Sequence, residues 1–303
     1  MIIATFNVNS VRSRMHILER WLKTCRPDIL FMQETKTQDE FFPELAFQEL
    51  GYRSFYHGEK CYNGVAVIVK NELEDVDVKF GFEPSISHIH NNRFSAQHSD
   101  EKISSEALTN IPNFHNTGHA AEQRMSENIP HQSYGEFATR VLTLRHKDIV
   151  IMNTYVPQGK LITHPDFQIK KEFFSRVRKI IEANLENKFL WLGDLNVAPT
   201  PQDVTHPENK KNHVCFCEEI REVFDQTKKG LVDILRLFDS SCVYTFYDYR
   251  VKDAVNKAIG WRIDHMLATE KLAEFAVKCW VDIEPRKWEK PSDHTPLIAE
   301  FKL

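Results

Sequence analysis

Phe189-Leu190-Trp191-Leu192-Gly193-Asp194-Leu195-Asn196 is the stretch from which the rest of the chain is best read. The apolar run is far too short to cross a bilayer, and its length and composition suit a buried strand. It ends abruptly on a glycine, an acid and an amide. An ionised carboxylate at the edge of a core is costly unless it is paired, hydrogen-bonded or holding a cation. The pattern recurs along the chain. Asn7 ends Ile2-Ile3-Ala4-Thr5-Phe6, and Glu34 ends Asp28-Ile29-Leu30-Phe31-Met32-Gln33. Asp264 interrupts Gly260-Trp261-Arg262-Ile263 and His265-Met266-Leu267-Ala268, while Asp293 with His294 opens the final apolar run.

Around these points, short runs rich in Val, Ile and Phe alternate with amphipathic stretches. That is the pattern of sheets covered by helices, so the class is α/β or α+β. Strands are expected at Ile2–Val8, Asp28–Gln33, Tyr52–Tyr56, Val65–Val69, Ala138–Leu144, Ile149–Tyr155, Phe189–Leu192 and Pro296–Phe301. Helical period places Leu18, Trp21, Leu22 and Cys25 on one face, and Phe173, Val177, Ile180 and Ile181 on another. No internal repeat is visible, and no Gly-rich phosphate loop argues for a nucleotide cofactor.

A chain of 303 residues with 42% hydrophobic content can bury one large core, and no Pro/Gly/Ser-rich linker divides it. A single domain over residues 1–303 is expected. The sequence reads directly into a strand, so neither a signal peptide nor a membrane anchor is expected. Six cysteines in scattered apolar segments, without a C-x-x-C pair, suit reduced thiols in the cytoplasm. A net charge of -4 and a pI near 6.4 exert no global pull on nucleic acid, so any DNA binding needs a local basic face. From about residue 83 to 135 the character changes. That segment holds six of the 14 histidines (His88, His90, His98, His115, His119 and His131), many polar residues and no sustained apolar period. It is expected to be a polar insertion, disordered or a surface excursion, and the irregular histidine spacing suits a solvated loop better than a metal site.

Taken singly, Asn7 is a turn residue, Glu34 a surface acid, Asp194 an Asx-turn former and Asp293 a strand-end cap. Taken together they supply hard oxygen ligands, a base and a histidine, provided the fold brings the strand ends to one rim. Phosphodiester cleavage needs such a set, because the phosphate's charge repels a nucleophile and further charge builds on the leaving oxygen. Mg²⁺ held by one or two carboxylates neutralises that charge. Glu34 and Asp293 are candidate ligands. Asp194 is placed to orient or deprotonate water and Asn196 to hold it, while His294 paired with Asp264 can donate to a phosphate oxygen.

The contexts of these residues resemble the exonuclease III branch of the endonuclease/exonuclease/phosphatase superfamily, over nearly the whole chain. Six motifs carry the resemblance in family order: Thr5-Phe6-Asn7-Val8-Asn9-Ser10, Gln33-Glu34-Thr35-Lys36, Tyr155-Val156-Pro157-Gln158-Gly159, Gly193-Asp194-Leu195-Asn196, Trp261-Arg262-Ile263-Asp264 and Pro291-Ser292-Asp293-His294. The resemblance implies a four-layered sandwich of two mixed β-sheets packed face to face and flanked by helices. It also implies Mg²⁺ or Mn²⁺ near Glu34, with Asn7 and Asp293 close by, and catalytic roles for Tyr155, Asp194, Asn196, Asp264 and His294. By the same resemblance Tyr155 contacts the phosphate or supports Asp194.

Val243-Tyr244-Thr245-Phe246-Tyr247-Asp248-Tyr249-Arg250 and Gly260-Trp261-Arg262-Ile263 resemble the abasic-endonuclease segments that line a pocket for a base-free sugar. Phe246, Trp261 and Ile263 are therefore expected to form an apolar slot, although ordinary core packing is the commoner fate of such aromatics. A missing base lowers the cost of turning a nucleotide out of the helix. Asn209 and Lys210, in Asn209-Lys210-Lys211-Asn212, and the lysines from Lys252 to Lys257 are candidates for gripping phosphates. The expected partner is duplex DNA with abasic sites or 3′ ends, attacked by a monomer. Two alternatives stay open: a non-catalytic nucleic-acid-binding member of the same fold, and a phosphatase of lipid or inositol phosphates. The segment from residue 83 to 135 is longer than the matching connection of typical family members.

Overall fold

The computed structural model describes residues 1–82 and 137–303. The expected insertion and its six histidines lie outside the described residues.

Among the described residues, twelve strands form two six-stranded sheets. The first sheet contains β1 (Ile2–Asn7), β2 (Ile29–Gln33), β3 (Tyr52–His57), β4 (Val65–Lys70), β11 (Ala276–Val281) and β12 (Leu297–Phe301), in the order β11-β12-β1-β2-β4-β3. The second contains β5 (Val76–Phe80), β6 (Val141–His146), β7 (Ile149–Tyr155), β8 (Lys188–Asp194), β9 (Val232–Asp233) and β10 (Asp264–Ala268), in the order β5-β6-β7-β8-β10-β9. Both are mixed. β1 and β2 pair in parallel, as do β7 and β8, and every other neighbour is antiparallel.

Alternation along the strands builds the layers. Ile3, Ile29, Phe31, Val65, Val67 and Val69 meet Leu142, Leu144, Ile151, Leu190, Leu192 and Met266 in a core between the sheets. The opposite face of the first sheet (Ala4, Phe6, Leu30, Met32) packs on Ile17, Leu18, Trp21 and Leu22 of α1 (Met15–Cys25), with α2 (Glu44–Glu49) alongside through Phe47. The opposite face of the second sheet (Val150, Met152, Phe189, Trp191) packs on Phe173, Phe174, Val177 and Ile181 of α3 (Pro165–Glu182) and on Ile220 and Phe224 of α4 (Glu218–Thr227). The architecture is thus helix, sheet, sheet, helix, as the resemblance implied. Two short helices, α5 (Ile234–Phe238) and α6 (Glu270–Ala273), complete it. The helix stops follow local chemistry. Arg26 turns left-handed at φ 48° to end α1, and the His164 side chain accepts from Asp166 N at 3.1 Å to start α3, with Pro165 in its first turn.

The expected strands exist with small shifts. The one expected at Ala138–Leu144 begins at Val141, because residues 137–140 form a turn. Asp264, between its two runs in sequence, is the first residue of β10. The two sheets also share one pattern of strand directions, a repeat that the residues themselves do not display. No helix among the described residues is long and apolar enough to cross a membrane.

Candidate active site

The strand ends converge. In the second sheet, Tyr155 of β7, Asp194 of β8 and Asp264 of β10 stand in one row. From the first sheet come Asn7, at the end of β1, and Glu34, just past β2 in the left-handed region at φ 52°. Asn7 bridges the sheets, its Nδ2 donating to Glu34 Oε1 at 2.8 Å and to Asp194 Oδ2 at 2.9 Å. The amide thereby holds two mutually repelling carboxylates at a fixed separation. Asn9 Nδ2 donates to Asp293 Oδ1 at 2.9 Å, and Lys36 Nζ reaches both Asn9 Oδ1 at 2.7 Å and Glu34 Oε2 at 2.6 Å.

His294 and Asp264 form the other half. His294 Nδ1 lies 2.8 Å from Asp264 Oδ2, and Nε2 lies 3.7 Å from Asp194 Oδ2. Burial disfavours the charged ring, yet the charges of Asp264 and Asp194 and the Asp264 hydrogen bond outweigh it, and the imidazole pKa is raised. The raised pKa favours the imidazolium, in which Nδ1–H donates to Asp264 and Nε2 stands 3.7 Å from Asp194 Oδ2, beyond hydrogen-bond distance. Asp194 shifts upward because burial, helped by Asp264 and Glu34, outweighs the His294 charge and the Asn7 hydrogen bond. Glu34 shifts downward, because Lys36 and Asn7 together overcome its burial. Burial and the neighbouring Glu34 and Asp194 charges push Tyr155 well up, so it stays a phenol and donates to Glu34.

The groups border a cavity of about 420 Å³. Phe246, Trp261 and Ile263 line one side of it. Phe246 and Trp261 exchange backbone hydrogen bonds at 2.9 Å, and Phe246 also bridges to His294, whose ring stands 5.0 Å from its own. The aromatics are thus tied directly to the ionised residues. Lys210 reaches the rim, with Nζ 5.5 Å from the Trp261 ring centre. Asn209 does not line the cavity; it ends a 3-10 turn at Pro207–Asn209, and its amide donates to Glu208. The lysines from Lys252 to Lys257 stand outside it as well.

Other lining residues escaped sequence reasoning. Gln158 lay inside a quoted motif without a role, and Asp248 grips Arg250 at 2.6 Å beside the slot. His213 stacks 4.6 Å from Trp261 and carries no sequence signal at all. Its pKa falls to about 4, through burial and then the Lys170 and Lys210 charges.

Glu34, Asp194 and His294 present ligand-type atoms within 4.8 Å of one another. His294 Nδ1 is engaged by Asp264, so the hard oxygen atoms of this group are carboxylate oxygens, and Asp293 lines the same cavity. Asn7 presents its N–H groups, not its oxygen, to the carboxylates. Asp264 Oδ1 is buried, with no hydrogen-bond partner among the described residues. Hard oxygens in an acidic group that already draws in one ammonium fit a divalent cation.

Carboxylates that repel phosphate, set against an imidazolium that attracts it, make sense together around a phosphoester, so the class is that of a phosphoester hydrolase. The chain belongs to the endonuclease/exonuclease/phosphatase family, which it matches over residues 4–294. It is 29% identical to exodeoxyribonuclease III of Haemophilus influenzae over 310 residues, spanning 98% of each chain. Among solved structures it resembles an AP endonuclease from Archaeoglobus fulgidus, at 38% identity and a TM-score of 0.79 over 100% of both chains. It also resembles the 3′ phosphatase NExo from Neisseria bound to product DNA hairpin, at 26% identity and a TM-score of 0.77 over 100% of both.

Proposed function

We propose that the protein is a DNA-repair nuclease that hydrolyses the phosphodiester 5′ to an abasic site in duplex DNA, and that the same site trims 3′ ends by 3′-to-5′ exonuclease action. The observation that carries this reading is the direct attachment of an apolar slot, Phe246, Trp261 and Ile263, to the Asp264–His294 pair. Glu34 would hold Mg²⁺ or Mn²⁺, with Asp293 and Asn7 beside it. Such an ion supplies charge neutralisation for the phosphate and the departing oxygen.

The chain's own groups divide the remaining work. Asp194, lifted toward neutrality by burial, accepts a proton from water, with one oxygen fixed by the Asn196 N–H at 3.0 Å. Asn196 commits Nδ2 to Val156 O at 2.9 Å, and its Oδ1, which accepts from Cys215 Sγ at 3.8 Å, keeps a second lone pair to accept from the same water. His294 gives Nδ1–H to Asp264 and turns Nε2–H toward a phosphate oxygen. Tyr155 keeps Glu34 in place, and the slot admits deoxyribose while excluding a stacked base. Lys210 sits at the rim as a phosphate contact. Within this reading the chain acts as one catalytic domain, as a cytoplasmic monomer.

A duplex carrying a tetrahydrofuran abasic analogue tests the reading. Incision is expected with Mg²⁺ and none with EDTA, and Glu34→Ala and Asp194→Asn should each lose on the order of 10²–10⁴-fold in turnover. Equal incision with and without EDTA, or full turnover by Asp194→Asn, would overturn it.

A further inference from the structure

Lys170 stands in α3, where a lysine normally reaches solvent, yet it is completely buried. Its Nζ donates to Gln158 O at 3.1 Å, Asn196 O at 2.8 Å and Val214 O at 2.7 Å. An ammonium carries three N–H donors, so its hydrogen-bonding capacity is used in full. The three carbonyls belong to two connections: Gln158 to the one from β7 to α3, and Asn196 and Val214 to opposite ends of the long one from β8 to α4. Each connection lends side chains to the cavity, namely Gln158, Asn196, and the His213 and Cys215 that flank Val214.

Two backbone details show that the chain is shaped around this side chain. Gly159 turns at φ 97°, where an added Cβ would come within 3.4 Å of Lys170 Cδ and 3.3 Å of Phe167 Cδ2. Asn196 sits at φ 51°, a left-handed geometry that directs its carbonyl inward to the ammonium. Burying a cation against carbonyls alone is expensive, and an apolar replacement would leave three buried carbonyls without donors.

We propose that Lys170 is a positioning residue for phosphodiester hydrolysis, an ammonium clamp that ties the β7–α3 connection to both ends of the β8–α4 connection beneath the cavity and so fixes Asn196 against the attacking water. The inference rests on the function proposed above. Lys170 touches no substrate; it acts through the Asn196 and Gln158 backbones.

The test uses the full-length protein, the tetrahydrofuran duplex and Mg²⁺, with kcat and KM measured separately for wild type, Asp194→Asn, Lys170→Gln, Asn196→Ala and the Lys170→Gln/Asn196→Ala pair. Phe174→Leu, which loosens the same helix against Trp191 and Phe224, serves as a stability control. Lys170→Gln should lose at least about tenfold in kcat with KM held within about threefold, while Phe174→Leu keeps its kcat. In the Asn196→Ala background, Lys170→Gln should cost less than about threefold more, because the two act through one water. Should Lys170→Gln fail to fold, Lys170→Arg, which keeps the charge and several donors, takes its place in the same cycle. A kcat equal to that of Phe174→Leu, or effects that multiply in full with Asn196→Ala, would overturn the clamp alone. No Mg²⁺-dependent incision by wild type would overturn both the clamp and the nuclease reading.

Discussion

Arg262 lies between two slot residues, Trp261 and Ile263, and its guanidinium is 2% exposed. Nε donates to Asp203 Oδ1 at 2.6 Å and Nη1 to Asp233 Oδ2 at 2.7 Å, while Arg236 Nη2 also reaches Asp203 Oδ1 at 2.6 Å. Arg262→Met keeps much of the stem's volume and removes the charge. Removing one partner of a buried ion pair costs about 3–5 kcal/mol. Asp203 keeps Arg236 and Thr200, and Asp233 can rehydrate, so the low end, about 3 kcal/mol, applies here. In a chain of this size that corresponds to a fall in Tm of about 6 °C. Burial pushes the Asp203 carboxyl up, but the Arg262 charge and the hydrogen bonds from Arg262, Thr200 and Arg236 hold it well below the usual range. A depressed carboxylate contributes its full stability above the unfolded pKa of about 4, and loses it as pH falls further toward the folded value. The gap between wild type and Arg262→Met in urea unfolding should therefore be the same at pH 7 and pH 5, and shrink below about pH 4. A loss under about 1 kcal/mol at pH 7 would refute the idea that this network anchors the slot wall.

Three further outcomes follow from the same geometry. His265 is completely buried, with Nε2 2.8 Å from Val197 O, and burial, then Arg262, lowers its pKa to about 4. Because the unfolded ring titrates near 6.5, the folded state binds fewer protons between these values, so stability should drop by up to about 3 kcal/mol as pH falls from about 6.5 to about 4. Chemical denaturation across that window should show a flatter slope in His265→Leu; an unchanged slope would assign the titration elsewhere. Asp264→Asn removes the main support of the His294 charge and should lower kcat on the order of 10²-fold. It should also move the alkaline limb of the pH–rate profile to lower pH, and an unmoved limb would show that Asp264 does not sustain the imidazolium. Phe246→Ala should raise KM for the abasic duplex by about tenfold with a smaller change on 3′-end trimming, measured by gel assay of both products; equal losses on both would remove the slot assignment.

The sequence made the central strands legible because runs such as Ile149–Tyr155 are apolar on both faces and end in polar residues. The half-exposed strands were not. Val76–Phe80 alternates with Asp77 and Lys79, and Ala276–Val281 mixes exposed and buried residues, so neither stands out from its surroundings. The acids and amides of the site were readable because they break apolar runs, and the fold carries each break to the same rim. Lys170 and His213 were invisible for the opposite reason. A lysine on an amphipathic helix and a histidine in a polar loop look solvated until the neighbouring connections close over them. Adjacency in sequence to Lys210 does not carry Asn209 into the cavity.

The repeated strand pattern explains why the site needs both sheets. Each sheet has its one parallel pair at its centre, β1 with β2 and β7 with β8, and the carboxyl ends of all four strands meet. One pair delivers Asn7 and Glu34, the other Tyr155 and Asp194. Equivalent positions thus carry different chemistry: a low-pKa carboxylate paired with Lys36 on one side, and a desolvated carboxylate that can take a proton on the other. Separated, Glu34 would keep its hydrogen bond from Asn7, but Asp194 would lose both that amide and the nearby His294 and face only Tyr155 and Asp264 of its own sheet. Brought together, the two acids repel each other, and the repulsion is relieved by the Asn7 amide that donates to both. The apolar core between the sheets supplies the rigidity that keeps them there, because sliding one sheet past the other would break the packing of Phe31, Leu190 and Leu192 before it freed the carboxylates.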